Sequence, residues 1–186
     1  PLLISLELLS DEGFLIEDEL KDVPDFSLDF VDFADVEVWK MARLRQAFQN
    51  FENNSTSEQK NIMQSWSSNS AFWLDDYATF ASMKIISGGL SWTEWPEKWK
   101  LRESAEIQLF CEKHAAEAAF HKFVQWQFFK QWSSLRKYAN QRGIKIIGDL
   151  PIFVAYDSTE VWANPELFEL DENQQLSAVA GVPPDF

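Results

Sequence analysis

Apolar residues recur along this chain mostly at helical spacing, and Gly, Pro and small polar residues interrupt the pattern at intervals. Leu2, Leu3, Leu6, Leu8 and Leu9 predict a helix over residues 1–12, with Gly13 placed to close it in a left-handed conformation. A turn and a short acidic helix follow. Residues 23–34 alternate Asp and Phe around Pro24 without a helical stripe, which predicts an irregular connection up to Asp32 or Asp35, either of which can cap the next helix. That helix should run to about Phe51. Thr56 and Gln59 then fit a capping box that opens a polar helix through Trp66.

Phe72, Trp73, Tyr77, Phe80, Ala81 and Met83 mark a buried helix over 71–86, ended by Gly88 and Gly89. A Trp-bearing turn at 91–96 and a short charged helix come next. Residues 104–142 form the longest helical stretch, about 58 Å if unbroken at roughly 1.5 Å per residue, so a bend is expected within it. Gly143 then leads straight into Ile144, Lys145, Ile146 and Ile147, the apolar run of a buried parallel strand. Asp157 or Ser158 can cap a further short helix. Residues 168–180 pattern as a hairpin turning at Asp171, Glu172 and Asn173. The chain reads as mostly helical, with one helix-to-strand junction.

Charge narrows the chemistry. Sixteen basic against thirty acidic side chains give a formal charge of −14, which repels a phosphate backbone and argues against nucleic acid as a partner. One cysteine, Cys111, excludes an internal disulfide framework. No apolar run approaches the roughly 20 residues of a membrane span, and the first residues lack the basic start of a signal peptide. A cytoplasmic protein without membrane partners is expected. The nine Trp, sixteen Phe and three Tyr supply flat apolar faces that suit sugar rings, although core packing is the ordinary role of most such side chains. The start at Pro1 and the end at Phe186, within a Pro-rich stretch, are what an internal piece of a longer polypeptide would show.

Few residues carry a chemical signal. Asp149 stands out, since it follows an apolar strand pattern, is preceded by flexible Gly148 and lies two residues before Pro151; capping of its own loop is the competing role. Asp75 and Asp76 point about 100° apart on a helix, so they cannot act together on one bond and read as a solvated or paired face. His114 and His121 lie two turns apart with no suitably spaced Cys or Asp, so no metal site is expected. Trp92 and Trp95 could form a sugar platform, but packing is favoured. Gly181 through Asp185 begin a stiff loop, because each residue before a Pro is held extended. Signatures of phosphate-binding loops and acyl-hydrolase nucleophiles are lacking.

Several stretches together resemble the amylomaltase or disproportionating-enzyme family, glycoside hydrolase family 77 of the α-amylase clan. They are P-L-L-I-S-L-E (1–7), A-F-W-L-D-D-Y-A-T-F (71–80), G-G-L-S-W-T-E-W-P (88–96) and F-H-K-F-V-Q-W-Q-F-F-K-Q-W (120–132). The most specific are G-I-K-I-I-G-D-L-P-I-F-V-A-Y-D-S (143–158), V-W-A-N-P-E-L-F (161–168) and V-A-G-V-P-P-D-F (179–186), all in the family's order.

The resemblance implies a fragment of a (β/α)8 TIM barrel with a large helical insertion, an α/β fold. Residues 1–142 would elaborate the barrel, 143–154 would be a barrel strand with its C-terminal end, and 155–186 an inserted subdomain with the start of an active-site loop. It implies transfer of α-1,4-glucan units to an acceptor sugar by retaining double displacement, with maltooligosaccharides and α-1,4-glucans as partners and no cofactor. No catalytic carboxylate is expected in this chain, because the family's nucleophile and acid/base lie on later strands. Asp149, Asp185 and Phe186 fall where family members contact substrate. The competing expectations are a non-catalytic carbohydrate-binding or interaction module and a clan hydrolase acting on α-1,4-glucans.

Overall fold

A computed structural model of the chain describes residues 1–178 and 181. The described chain is mostly helical. Its α-helices are α1 (Leu6–Asp11), α2 (Phe33–Asn54), α3 (Ser57–Asn69), α4 (Ala71–Ile86), α5 (Glu97–Lys100), α6 (Ser104–Lys113), α7 (Ala115–Gln141) and α8 (Thr159–Ala163). It divides into two compact units. One holds Pro1–Leu74 with Ala119–Gly148, the other Asp75–Ala118 with Asp149 onward. No helix among the described residues is long and apolar enough to cross a membrane.

In the first unit, local chemistry sets the helix ends. The first helix starts at Leu6 and not at Pro1, because Ser5 is its N-cap and accepts a hydrogen bond from the Leu8 N–H. Its C-terminus closes at Gly13, φ 79°, with the Phe14 N–H donating to the Leu9 carbonyl at 2.8 Å. This places two apolar side chains, Leu9 and Phe14, in the same core. Asp32 caps α2 by accepting from the Ala34 and Asp35 N–H groups. Thr56 and Gln59 form the reciprocal capping box of α3.

The core of this unit is aromatic. Leu44, Ala47 and Phe51 of α2 bury the face that meets Phe120, Phe123, Val124 and Trp126 of α7, together with Phe14. Phe51 and Phe123 sit 5.2 Å apart by ring centroid, and Phe14 meets Phe51 edge-on at 5.4 Å. Ser5 and Gln131 exchange two hydrogen bonds, from the Ser5 N–H at 2.8 Å and to its carbonyl at 3.1 Å. That pairing ties the start of the chain to α7.

The second unit is built around Phe80, Met83, Trp92, Trp95, Phe110, Val161 and Trp162. Trp39, Trp66 and Trp126 belong to or pack on the first core, and Trp92, Trp95, Trp99 and Trp162 the second, so most of the nine Trp are core material. The long helical stretch is broken at His114, whose φ of −115° and ψ of 27° leave the helical region, while its N–H still bonds the Phe110 carbonyl at 2.9 Å.

Residues 144–147 do not form the expected strand. They carry no regular secondary structure, and Ile147 is 94% exposed. A strand is a paired structure, and no other described segment runs beside this one to complete its hydrogen bonds. The described residues contain no strand, only one isolated antiparallel bridge between Leu170 and Leu176. That bridge closes the expected hairpin turn. Asp171 Oδ1 accepts from the Asn173 and Gln175 N–H groups, and Gln174 takes a left-handed φ of 63°.

Candidate functional site

The segment from Asp149 to Asp157 connects the unpaired apolar run to α8. Asp149 and residues 150–155 are exposed. Packing resumes at Tyr156 and Asp157, where the chain docks on the turn after α4. Trp92, 0% exposed, donates its indole N–H to the Tyr156 carbonyl at 2.8 Å, and its backbone N–H donates to Asp157 Oδ1 at 3.2 Å. The other carboxylate oxygen of Asp157 receives Lys84 Nζ at 2.6 Å. Lys84 also donates to the Gly89 carbonyl at 3.2 Å. The Trp92 and Tyr156 rings meet edge-to-face at 5.5 Å.

Tyr156 continues the connection by donating its hydroxyl hydrogen bond to the Gln174 carbonyl at the hairpin tip. Burial, and then the negative charge of Asp171, push its phenol above the usual tyrosine range. Next to this tip lies a groove of about 340 Å³ lined by Trp95, Glu97, Lys100, Leu101, Glu172, Asn173 and Gln174. Its walls are mainly polar side chains that could meet a hydroxylated ligand.

Asp149 thus sits on the connection that this anchor terminates. Asp185 and Phe186 lie outside the described residues. Trp92 and Trp95 are buried at 0% and 3%, so that turn is packing and not an exposed platform. Asp76 is engaged by Arg102, whose guanidinium also covers Trp162. His114 stacks on Phe110 at 4.6 Å, and no group of three or more potential metal ligands occurs among the described residues.

A family model described as 4-alpha-glucanotransferase, glycoside hydrolase family 77, matches residues 1–186. The chain belongs to this family. It is 42% identical to a 4-alpha-glucanotransferase of Thermus thermophilus over 186 residues, covering 100% of this chain and 36% of that protein. A 4-alpha-glucanotransferase of Synechocystis sp. is 39% identical, with 100% of this chain and 37% of that protein covered. Among solved structures, an amylomaltase from Streptococcus agalactiae in complex with acarbose superposes with a TM-score of 0.91 at 34% identity, over 100% of this chain and 37% of that one. This member of the 4-alpha-glucanotransferase family therefore spans a little over a third of the relatives it matches.

Two residues of the anchor escaped sequence reasoning. Ser158, not Asp157, caps α8, accepting from the Val161 N–H, which frees the Asp157 carboxylate for Lys84. No sequence pattern singled out Lys84, which lies on α4. A pair 73 residues apart leaves no local spacing to read.

Proposed function

We propose that this chain is a segment of a 4-α-glucanotransferase that moves α-1,4-glucan units from a donor to the 4-hydroxyl of an acceptor sugar by a retaining double displacement. The observation that carries the reading is the family match along the whole chain. The acarbose-bound amylomaltase of the same fold supports an oligosaccharide ligand. In such chemistry a carboxylate forms a covalent glycosyl intermediate, and a second carboxyl group protonates the leaving oxygen, then deprotonates the acceptor. Both groups are assigned to the parent polypeptide outside these residues, in keeping with coverage of only 36% and 37% of the relatives.

In this reading residues 143–154 pair as a strand of a (β/α)8 barrel and present Asp149 at its C-terminal end, where such barrels place their sites. Residues 1–142 elaborate the barrel and 155–186 form an inserted subdomain leading into the active-site loop. Asp149, Asp185 and Phe186 contact glucan, Asp149 in a supporting role. The parent works in the cytoplasm on maltooligosaccharides and α-1,4-glucans, and the charge of −14 disfavours nucleic acid.

The test is incubation of the full-length parent with maltotriose. Glucose together with longer maltooligosaccharides is the expected outcome. Glucose and maltose alone would indicate a hydrolase, and untouched maltotriose a binding module.

A further inference from the structure

We propose that the groove between α5 and the hairpin tip is a binding site for glucose units of a long α-1,4-glucan, a proposal that rests on the α-glucan reading above. Five of its lining side chains are polar, those of Glu97, Lys100, Glu172, Asn173 and Gln174. None of the five is engaged by another described side chain. Their chemistry selects the ligand. Two carboxylates against one ammonium disfavour an anion, and the Lys100 ammonium among them disfavours a free cation. A neutral ligand rich in hydroxyl groups can donate to the carboxylates and exchange hydrogen bonds with the two amides. Trp95 and Leu101 add apolar surface. The Trp95 indole N–H is already spent on Ser87 Oγ at 3.1 Å and the Leu90 carbonyl at 3.2 Å, so the ring has only carbon left to offer. Apolar surface with a few placed polar groups is the usual make-up of a small-molecule site, and about 340 Å³ lies at the low end of the roughly 300–1,000 Å³ such sites span. That is room for a short part of a glucan chain.

The walls of the groove are fixed by contacts inside the described residues, and both belong to the second unit. On one side, Asp171 Oδ1 holds the Asn173 and Gln175 N–H groups at 2.8 and 2.9 Å, and the Tyr156 hydroxyl donates to the Gln174 carbonyl. On the other, the indole N–H of Trp162, 1% exposed, donates to the Trp99 carbonyl at 2.9 Å. Trp162 is part of the aromatic core of this unit, and Tyr156 and Trp99 pack against it. Both walls are thus tied to one core. A ligand would meet them already in place, which lowers the ordering cost of binding.

The test uses the full-length parent and compares wild type with Glu97→Ala, Asn173→Ala and the double variant, one substitution on each wall. Neither side chain holds another in place, so melting temperatures should stay close to wild type; Glu172→Gln is the second route should the hairpin turn be disturbed. Each single variant is expected to raise the KM for amylose about threefold to tenfold, and the double variant by more, while kcat changes less than twofold. Hydrogen–deuterium exchange then localises the contact. Maltoheptaose should slow the amides of residues 97–101 and 172–175 in wild type and leave them unchanged in the double variant. An unchanged KM in the double variant, or no slowing in wild type, would overturn the proposal. Amides equally protected with and without maltoheptaose would overturn it too, because the rest of the parent would then cover the groove. A parent that neither transfers nor cleaves glucan yet shows the slowing would remove the transferase reading and keep the groove.

Discussion

The guanidinium of Arg102 lies 4.3 Å from the centroid of the Trp162 ring while its Nη2 donates to Asp76, so one side chain joins α4 and α8 to the end of α5. It does so from a left-handed backbone, φ 53°, at the position after α5 where Gly is usual. The Glu103 N–H completes the motif by donating to the Lys98 carbonyl at 2.9 Å. Removing the side chain loses a cation–π contact worth about 0.5–2 kcal/mol. A Gly would recover about 1–2 kcal/mol of left-handed strain that an Ala would retain. Arg102→Ala should therefore melt below Arg102→Gly in the full-length parent. Equal melting temperatures would mean that the backbone at 102 is not strained.

Tyr156 supplies a pH test. Burial, followed by the charge of Asp171, raises its phenol above the ordinary tyrosine value of 10.0. Because the folded state holds this proton more tightly than the unfolded one, the associated stability is fully present below pH 10.0 and is lost as pH rises through the raised value. Ultraviolet titration of tyrosinate, wild type minus Tyr156→Phe, should show one phenol ionising later than a free tyrosine. A difference curve centred on the ordinary value would contradict the half-buried hydroxyl-to-Gln174 geometry.

Helix ends give smaller and more local effects. Gly143 closes α7 at φ 73°, with the Ile144 N–H on the Ala139 carbonyl at 3.0 Å. Gly143→Ala should cost about 1–2 kcal/mol through left-handed strain alone. Thr56→Ala removes the hydroxyl that accepts from the Gln59 N–H and should cost about 1 kcal/mol. Chemical denaturation midpoints of the parent would measure both, and a neutral Gly143→Ala would argue that the terminus unwinds without penalty.

These ends were legible because the chemistry that makes them is local. The Thr56–Gln59 box, the Gly13 and Gly143 termini and the turn at Asp171 each need only a few neighbouring residues. Most of the broad helical reading held for the same reason: apolar side chains at periodic positions bury one face. The start of α1 was misjudged because Ser5 interrupts a Leu-rich run with a hydroxyl that caps. Nothing local announced Lys84 with Asp157, or Arg102 with Asp76 and Trp162, since each pairing joins distant parts of the chain. The apolar run at 144–147 was legible as a pattern. Whether it becomes a strand depends on partners that no local pattern supplies.

That dependence yields the sharpest prediction, because the same substitutions should act with opposite sign in two contexts. In the segment as described, Ile147, Leu150 and Ile152 are 94%, 84% and 88% exposed. A contiguous apolar stretch of this kind invites dye binding and association. Ile147→Lys with Ile152→Lys should therefore reduce hydrophobic-dye fluorescence and aggregation of the isolated segment while leaving its helical circular dichroism unchanged. In the full-length parent the proposed barrel would pair residue 147 within its sheet and cover residue 152 at the strand's end. There each Lys replaces about 1.5–3 kcal/mol of apolar burial with a charge that has no partner. Together they should unfold the parent or strip it of soluble expression. A parent that carries both lysines with an unchanged melting temperature would show that this run faces water there too, and the barrel-strand assignment for residues 143–154 would fall.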